Sequence, residues 1–311
     1  MYNQYILIDA YLYDSEMVNM QEQKKILFVI NPISGGKKKT AFNKQVLEVL
    51  DLKKFNPTFQ QTTKPNHAYE LGKRAIEEKY DAVVAVGGDG TINELGAALV
   101  GSGIPLGIVP EGSGNGLALY LGIPMNETAA IRRLNRFETV DVDSGVINDK
   151  PFFNIAGMGF DATVSDRFAN DTMRGPIGYL RSIVNVLAKF KPSKYSLNID
   201  GKSYEREAFM ISVANSPQYG NNAYIAPNAS VNDGLLDVRI VHKFLLYILP
   251  MMVFHLFNRS ADQSDYVEII PGKEIEINRI DNGPVHVDGE PLVLENNLKI
   301  RVRPNSLKVI C

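Results

Sequence analysis

A cluster of glycines around one acid follows an uncharged apolar run. The segment Val83–Glu94 reads VVAVGGDGTINE, and its run ends in the sequence Gly-Gly-Asp-Gly at 87–90. Glycines let backbone N–H groups approach phosphate oxygens closely, and a helix that starts there adds the positive end of its dipole. Thr91 can cap that helix or bond a phosphate. Asp89 would repel a phosphate unless a divalent cation lay between them. The pattern therefore favours a nucleotide with Mg²⁺ over a tight turn that carries a solvated acid.

Two further glycine clusters follow apolar runs. Residues 112–116, GSGNG, come after Ile104–Val109, and residues 31–36, NPISGG, end the first apolar run. Loops at the carboxyl ends of neighbouring parallel strands open into one crevice. The Walker pattern GxxxxGK[ST] is absent, as is GxGxxG after the first run. We therefore expect a phosphate site of neither common type.

Acids also occur at turn signals in the second half. Pro284–Leu294 reads PVHVDGEPLVL, in which Asp288-Gly289 lies between alternating apolar residues and predicts a two-residue hairpin. By residue type alone, Asp288 is a turn residue and Glu290 a solvated neighbour. Asp233, in NASVNDGLLD, also precedes a glycine and by default marks a turn.

The elements that would position these residues differ between the two halves. The first half alternates strand and helix patterns, which predicts a parallel sheet with crossover helices. Its strands are expected at 26–30, 56–61, 82–86 and 105–109, and its helices at 40–50, 66–78, 92–100 and 127–136. After about residue 140, short alternating segments predict antiparallel strands. They are expected at 141–147, 152–156, 195–199, 208–214, 236–241, 266–270, 274–278, 285–287 and 298–302, with helical insertions at 178–190 and 245–257.

We therefore predict two domains. Residues 25–140 form an open α/β nucleotide-binding domain, and residues 141–302 an antiparallel β-sandwich. Residues 303–311 are expected to return to the first domain. Residues 1–24 are interpreted as an extension, either poorly ordered or the product of a misassigned start, since MQEQKKILFVINP from Met20 resembles a more natural beginning.

Composition narrows the class of protein. The chain has 311 residues with 45% hydrophobic residues and a net charge of −2, so a nucleic-acid footprint is not expected. Cys311 is the only cysteine, which excludes an internal disulfide and favours a reducing cytoplasm. No apolar run reaches the length of a membrane span, and the amino-terminal residues lack the features of a signal peptide.

Together, NPISGG, GGDGTINE, PEGSGNGLA and VDGEP resemble the diacylglycerol kinase, sphingosine kinase and YegS-like bacterial lipid kinase family. The resemblance runs in consistent order from about Lys25 to the end of the chain. It implies an NAD kinase/phosphofructokinase-like first domain, a β-sandwich second domain with ATP between the two, and transfer of the γ-phosphate to a lipid hydroxyl. GGDGT by itself is shared with NAD kinases and discriminates weakly.

The resemblance also implies roles for particular residues. Nucleotide contacts fall on Asn31, Thr62 (or Thr63), Gly87, Gly88, Asp89, Gly90, Thr91, Ile92, Asn93, Glu94, Gly112, Ser113, Gly114 and Asn115. In the DGE motif a carboxylate accepts the proton of the attacking hydroxyl, and the sequence leaves open whether it is Glu290 or Asp288. Asp143 supports the active-site network, although Asp141 lies close enough to be confused with it. Asp89 lies on or near the metal.

The family resemblance further implies a structural Mg²⁺ on the carboxylate of Asp233 and the carbonyls of Ser230 and Leu235, a ligand set of hard oxygens that Mg²⁺ accepts. One departure concerns the substrate. Diacylglycerol kinases usually carry Asp after GSGN, whereas this chain has Gly116, a small residue as in sphingosine kinases. Diacylglycerol and a sphingoid base are therefore both open.

A lipid substrate implies transient contact with a membrane surface, and two segments could provide it. Residues 179–194 form a basic amphipathic pattern, and Leu245–Phe257 is an apolar run, although core packing explains either one. A homodimer is common in the family and has no visible signature here. The alternative functions are an NAD kinase-like phosphotransferase and a nucleotide-binding regulator that has lost catalysis.

Overall fold

The structure is a computed structural model that describes residues 23–36, 41–170, 183, 185–187, 189–219 and 222–311. Nearly all of the expected amino-terminal extension, and most of the helix expected at 178–190, lie outside the described residues. In the part of the chain that is described, no helix is both long and apolar enough to cross a membrane.

The first domain is a four-stranded parallel sheet in the order β4-β3-β1-β2. Its strands are β1 (Lys24–Ile30), β2 (Phe55–Gln61), β3 (Ala82–Gly87) and β4 (Leu106–Pro110). Its helices are α1 (Phe42–Val49), α2 (His67–Glu77), α3 (Asp89–Leu99), α4 (Gly116–Tyr120) and α5 (Glu127–Leu134). All six residues of β3 and all five of β4 are buried, as expected for parallel strands covered on both faces. The predicted α/β architecture is confirmed.

The second domain is built from antiparallel strands, and the predicted β-sandwich-like class is confirmed. Its strands are β5 (Thr139–Ile147), β6 (Lys150–Phe152), β7 (Ile155–Gly159), β8 (Ser193–Ile199), β9 (Lys202–Ala214), β10 (Leu236–His242), β11 (Val267–Gly272), β12 (Glu274–Arg279), β13 (Gly283–Val287), β14 (Glu290–Leu294) and β15 (Asn297–Ile310). Helix α6 (Phe160–Asn170) follows β7, and α7 (Leu249–Phe257) follows β10 after a short 3₁₀ turn.

Strand β15 connects the two domains. Its first residues pair with β12 in the second domain, and its length pairs with β5. Near its end, Val309 pairs in parallel with Leu106 of β4, which joins the strands of both domains into one hydrogen-bonded sheet. Leu307, Val309 and Ile310 are buried with the core of the first domain.

One predicted strand is wrong. Residues 152–156 were expected to form a single strand, but the chain forms β6 and β7 with a break at Phe153 and Asn154. The break turns the backbone N–H groups of Phe153, Asn154 and Ile155 toward the carboxylate of Asp288. An uninterrupted strand could not do this, because its N–H groups alternate in direction.

Candidate active site

A cavity of about 350 Å³ lies where the loops of the first domain face β14. The β1 loop contributes Asn31 to its wall, and the start of α3 contributes Gly90 and Thr91. From the second domain, Glu290 is the residue that lines it. The remaining lining residues come from the β1 and β2 loops and from α3: Pro32, Ile33, Thr62, Thr63, Lys64, Pro65 and Glu94.

Asp89 ties two glycine loops together. Its carboxylate accepts the backbone N–H of Asn115 at 2.8 Å and that of Gly116 at 2.9 Å, so the start of α3 holds the loop before α4. Burial raises the pKa of Asp89, and the two backbone donors lower it. Both carboxylate oxygens therefore serve the loops, and the role of Asp89 on a metal stays a prediction.

The loops approach each other so closely that glycine is required at two positions. A Cβ atom added to Gly112 would lie 2.6 Å from the Cα of Gly88, and one added to Gly88 would lie 3.0 Å from the Cα of Gly112. Asn115 closes its loop with φ of 52°, accepting the N–H of Gly112 and donating to its carbonyl. Close backbone packing, as well as phosphate access, therefore explains these glycines.

Two other polar residues near α3 also brace the cleft. The side chain of Asn31 donates to the hydroxyl of Thr91 at 3.3 Å, which joins the β1 loop to α3. The carboxylate of Glu94 accepts the N–H groups of Asn66 at 2.8 Å and of Ala68 at 3.0 Å. Glu94 thereby caps the amino terminus of α2 and fixes the β2 loop that lines the cavity.

Asp288 is held by both domains. Its carboxylate accepts the backbone N–H groups of Phe153, Asn154 and Ile155 at 2.8–2.9 Å, and the side-chain amide of Asn93 at 2.7 Å. Burial raises its pKa, whereas these four donors lower it. With both oxygens occupied by donors, Asp288 acts as a clamp between the domains.

Glu290 has a different environment. It is exposed at the cleft, and its Oε1 lies 2.6 Å from the position that a Cβ atom on Gly90 would occupy. Desolvation by the cleft walls raises the pKa of Glu290 above its ordinary value of 4.5, and the carboxylates of Glu94 and Asp288 raise it further. A carboxylate with a raised pKa that faces the glycine loops is suited to accept a proton there.

Asp143 is buried and is not among the residues that line the cavity. Its carboxylate accepts the N–H groups of Gly234 and Asn305, both at 2.7 Å, and its own N–H donates to the carbonyl of Val231. It therefore holds the 230–235 loop and β15 against β5. A supporting role stays a prediction.

The 230–235 loop carries the predicted structural cation site. Asp233 is exposed, and its Oδ1 accepts the N–H of Leu235 at 3.0 Å, which shapes the turn. One exposed carboxylate beside main-chain carbonyls fits the oxygen ligands that Mg²⁺ prefers. Across the described residues no cluster of three or more His, Cys, Asp or Glu side chains forms a metal site, but the expected site needs only one such side chain.

The residues predicted to contact the nucleotide thus divide into those that line the cavity and those that do not. Five of them line the cavity: Asn31, Thr62, Gly90, Thr91 and Glu94. The side chain of Ile92 is in the core of the first domain, and that of Asn93 points to Asp288, so neither side chain faces a nucleotide. Gly87, Gly88, Gly112, Gly114 and Asn115 shape the loops, and Ser113 is exposed at the loop tip.

Sequence reasoning missed a polar cluster beneath α6. The carboxylate of Asp161 accepts the hydroxyl of Tyr219 at 2.9 Å and lies 2.9 Å from Nε2 of His286, which is 2% exposed. Ser212 completes the cluster through the Tyr219 hydroxyl at 2.8 Å. The apolar neighbours of His286 in PVHV could have signalled a buried histidine, but its partners lie far away in the sequence.

The chain matches two family models. Residues 25–147 match the diacylglycerol kinase catalytic domain, and residues 154–311 match the YegS C-terminal NAD kinase beta sandwich-like domain. The diacylglycerol kinase of Mycobacterium tuberculosis (strain H37Rv) is 37% identical over 220 residues, which are 68% of this chain and 71% of that protein. The diacylglycerol kinase of Bacillus subtilis (strain 168) is 27% identical over 273 residues, 86% of this chain and 90% of that protein.

A solved structure from Bacillus anthracis str. Sterne, which carries a diacylglycerol kinase assignment, shares the fold with a TM-score of 0.77 at 24% identity and covers 94% of this chain and 97% of its own. The match to an uncharacterized protein of Synechocystis spans 54% of that protein's length. The two consecutive family models and the relatives that share them show that the chain belongs to the diacylglycerol kinase and YegS-like lipid kinase family.

Proposed function

We propose that the protein is an ATP-dependent lipid kinase in which Glu290 accepts the proton of the attacking lipid hydroxyl. The observation that carries this role is the contrast between the two acids of the DGE motif. Asp288 is saturated by four hydrogen-bond donors, whereas Glu290 faces the cleft beside Gly90 and Thr91. Family membership supports the transfer reaction and does not favour the NAD kinase-like or silent alternatives.

The first domain would bind the ATP phosphates at its glycine loops. Backbone N–H groups at the start of α3, together with Asn31, Thr62 and Thr91, offer donors along the cavity wall. Phosphoryl transfer depends mainly on positioning and on neutralising charge at the transferred group. Mg²⁺ bound to the ATP phosphates would supply that neutralisation, and we assign the lone structural cation to Asp233 with the carbonyls of Ser230 and Leu235.

The lipid would approach from the second domain. Its hydroxyl must reach Glu290 and lie in line with the γ-phosphate, so Glu290 needs only to orient it and to take the proton late. Diacylglycerol is the first substrate to test because the relatives from Mycobacterium tuberculosis and Bacillus subtilis are diacylglycerol kinases. A sphingoid base is the second, because Gly116 occupies the position at which the diacylglycerol kinases usually carry Asp. Such lipids reside in membranes, so the protein must meet a membrane surface at least transiently.

The test is transfer of labelled γ-phosphate from ATP·Mg²⁺ to diacylglycerol, sphingosine and phosphatidylglycerol in mixed micelles, with NAD as the soluble acceptor control. We expect a labelled lipid, and we expect Glu290→Gln to reduce its formation at least about a hundredfold while leaving ATP binding intact. Label on NAD alone would refute the lipid kinase. Near-normal turnover in Glu290→Gln would refute its role as the proton acceptor.

A further inference from the structure

Helix α7 presents an apolar face that no described element covers. On the helix, Val253, Phe254 and Phe257 have exposed fractions of 45%, 62% and 56%, and in the turn just before it Leu245 and Tyr247 have exposed fractions of 62% and 75%. We call these residues, together with Met251, the α7 face. Pro250, Val253, Phe254 and Phe257 follow the i, i+3, i+4, i+7 spacing of one helix side, so the exposure is a continuous stripe. Contiguous exposed apolar residues of this kind mark an interaction surface.

The opposite side of α7 anchors it to the second domain. Leu256 packs against the small cluster of Ile155, Ala214, Ile225, Ala226 and Ala229, and its carbonyl accepts the N–H of Tyr224. Ile155 donates its own N–H to Asp288. One layer of side chains therefore connects α7 to Ile155, and Ile155 in turn helps to hold Asp288 of the DGE hairpin.

Charge along this segment has one sign. From His242 to Ala261 the sequence contains no acid, and the exposed side chains of Lys243 and Arg259 flank the apolar run. Arg259 is held over the ring of Tyr224 at 4.3 Å and donates to its hydroxyl. An apolar stripe with cationic flanks complements a surface that is apolar inside and anionic at its rim.

A second copy of the chain fits this face less well. A twofold interface would place the same residues of two copies together, so in the antiparallel arrangement the Lys243 end of one copy would meet the Arg259 end of the other. Like charges would then meet at both ends without an acid in the segment to offset them.

We propose that the α7 face inserts into the headgroup region of an anionic lipid bilayer and docks the enzyme on the membrane that holds its substrate. This inference rests on the proposed lipid kinase function for its biological reason, but the binding it predicts requires neither ATP nor a phosphate acceptor. Helix α7, with nine residues, would lie along the interface rather than cross it.

The chain contains no tryptophan, so a single introduced one reports on its own site. Phe254→Trp places the reporter on the α7 face, and Ile280→Trp places a matched reporter at a residue that is 75% exposed outside this segment. With vesicles of phosphatidylcholine and phosphatidylglycerol that lack any acceptor, we expect the Phe254→Trp emission to shift to the blue and to be quenched by acyl-chain-brominated lipid. The Ile280→Trp emission should remain unchanged. Vesicle binding without quenching of Phe254→Trp would overturn the proposal.

Partitioning gives the second measurement. The double variant Phe254→Ser with Phe257→Ser should weaken cosedimentation with the same vesicles at least about tenfold, because two exposed aromatic side chains lose their burial. Ile280→Ser should leave it unchanged, and Lys243→Gln should weaken it about fivefold on phosphatidylglycerol vesicles only. Unchanged cosedimentation of the double variant, or a loss of dimer mass in light scattering in its place, would overturn membrane docking. Since no turnover is measured, neither result depends on whether the kinase assignment holds.

Discussion

Asp288 and Glu290 are two residues apart, but their carboxylates lie in different environments. Asp288 accepts four hydrogen bonds from both domains, and Glu290 extends into the cleft. The hairpin between them has φ of 49° at Asp288 and 86° at Gly289, the left-handed pair that a two-residue turn requires. The turn therefore holds Asp288 among hydrogen-bond donors of both domains and directs Glu290 into the cleft.

Asp288→Asn should destabilise the protein by about 3 kcal/mol. In either orientation its NH₂ group would meet two of the four donors, so about two charge-assisted hydrogen bonds are lost. The turn itself should tolerate the change, because Asn-Gly suits this backbone well. Chemical denaturation measures the effect, and Glu290→Gln is the control that should show no comparable loss. Equal stability of the two variants would contradict the clamp.

The raised pKa of Glu290 predicts a pH dependence. A proton acceptor must be ionised, so the acid limb of the kcat/KM profile should lie above the ordinary glutamate value of 4.5. Glu290→Gln should remove this limb from the residual activity. An acid limb at or below that value would contradict the environment described for Glu290.

The same shift predicts an effect on stability. A raised pKa means that the folded state binds the proton more tightly than the unfolded state, so Glu290 costs stability as the pH rises from the unfolded toward the folded pKa. Glu290→Gln should therefore match the wild type in Tm below the ordinary value and equal or exceed it above the raised one. A lower Tm of the variant at alkaline pH would contradict this sign.

Both acids were predicted from the sequence, but their separate roles were not. The partners of Asp288 are backbone N–H groups more than 130 positions away, and backbone donors leave no trace in residue type. The same applies to Asp89, whose partners at Asn115 and Gly116 lie in another loop. The sequence showed where acids cluster, and only the fold shows what each one contacts.

At the scale of elements, the site depends on two loops that cross at Gly88 and Gly112. Their Cα atoms leave no room for a side chain, and Asp89 links the same two loops through hydrogen bonds. The loops after β3 and β4 are thus one rigid unit, which suits a surface that must present several N–H groups to phosphates at once.

Gly112→Ala should separate these loops. We expect ATP affinity to fall at least about tenfold, with a stability loss of about 1–3 kcal/mol from the forced shift of the backbone. Gly122→Ala is the control for a substitution without a clash, since its φ of 64° disfavours alanine but no atom lies within 4 Å of the added carbon. It should lose about 1 kcal/mol of stability and keep its ATP affinity. Calorimetric titration with ATP would separate the two, and equal affinities would contradict the crossing.

Helices and strands were predicted correctly where burial of the element or the chemistry of its turn fixes the residue pattern. The strands β3 and β4 are uncharged because both faces are covered, and the DGE hairpin has turn residues between alternating apolar ones. The prediction failed at Phe153 and Asn154, which were expected inside a strand but form a bend whose N–H groups donate to Asp288. It also missed the start of β9, because Lys202–Glu207 is polar and gains its strand from pairing with β8.

At the scale of the molecule, β15 belongs to both domains. Its early residues pair with β12, and Leu307 and Val309 are buried in the core of the first domain. Asp143 adds a second tie by holding Asn305 of the same strand. The domains are therefore joined by a shared strand as well as by the Asp288 clamp.

Leu307→Ala should lower global stability by about 2–4 kcal/mol, because it leaves a cavity in the first domain. Lys308→Ala is the control on the same strand, since the exposed ion pair of Lys308 with Asp141 is worth less than about 1 kcal/mol. Urea unfolding should show the loss in both domains together. A loss confined to the second domain, or one no larger than that of Lys308→Ala, would contradict the shared strand.

The position of β15 also has a consequence for biosynthesis. Strands β1 to β4 leave the ribosome first, yet β4 keeps an open edge until β15, the last strand in chain order, has been translated. The first domain is thus begun before the second and completed only with the last strand, and its unpaired edge stays available to neighbouring nascent chains during elongation. Chaperone occupancy on translating ribosomes should accordingly persist until β15 emerges, instead of ending when the first domain has been made.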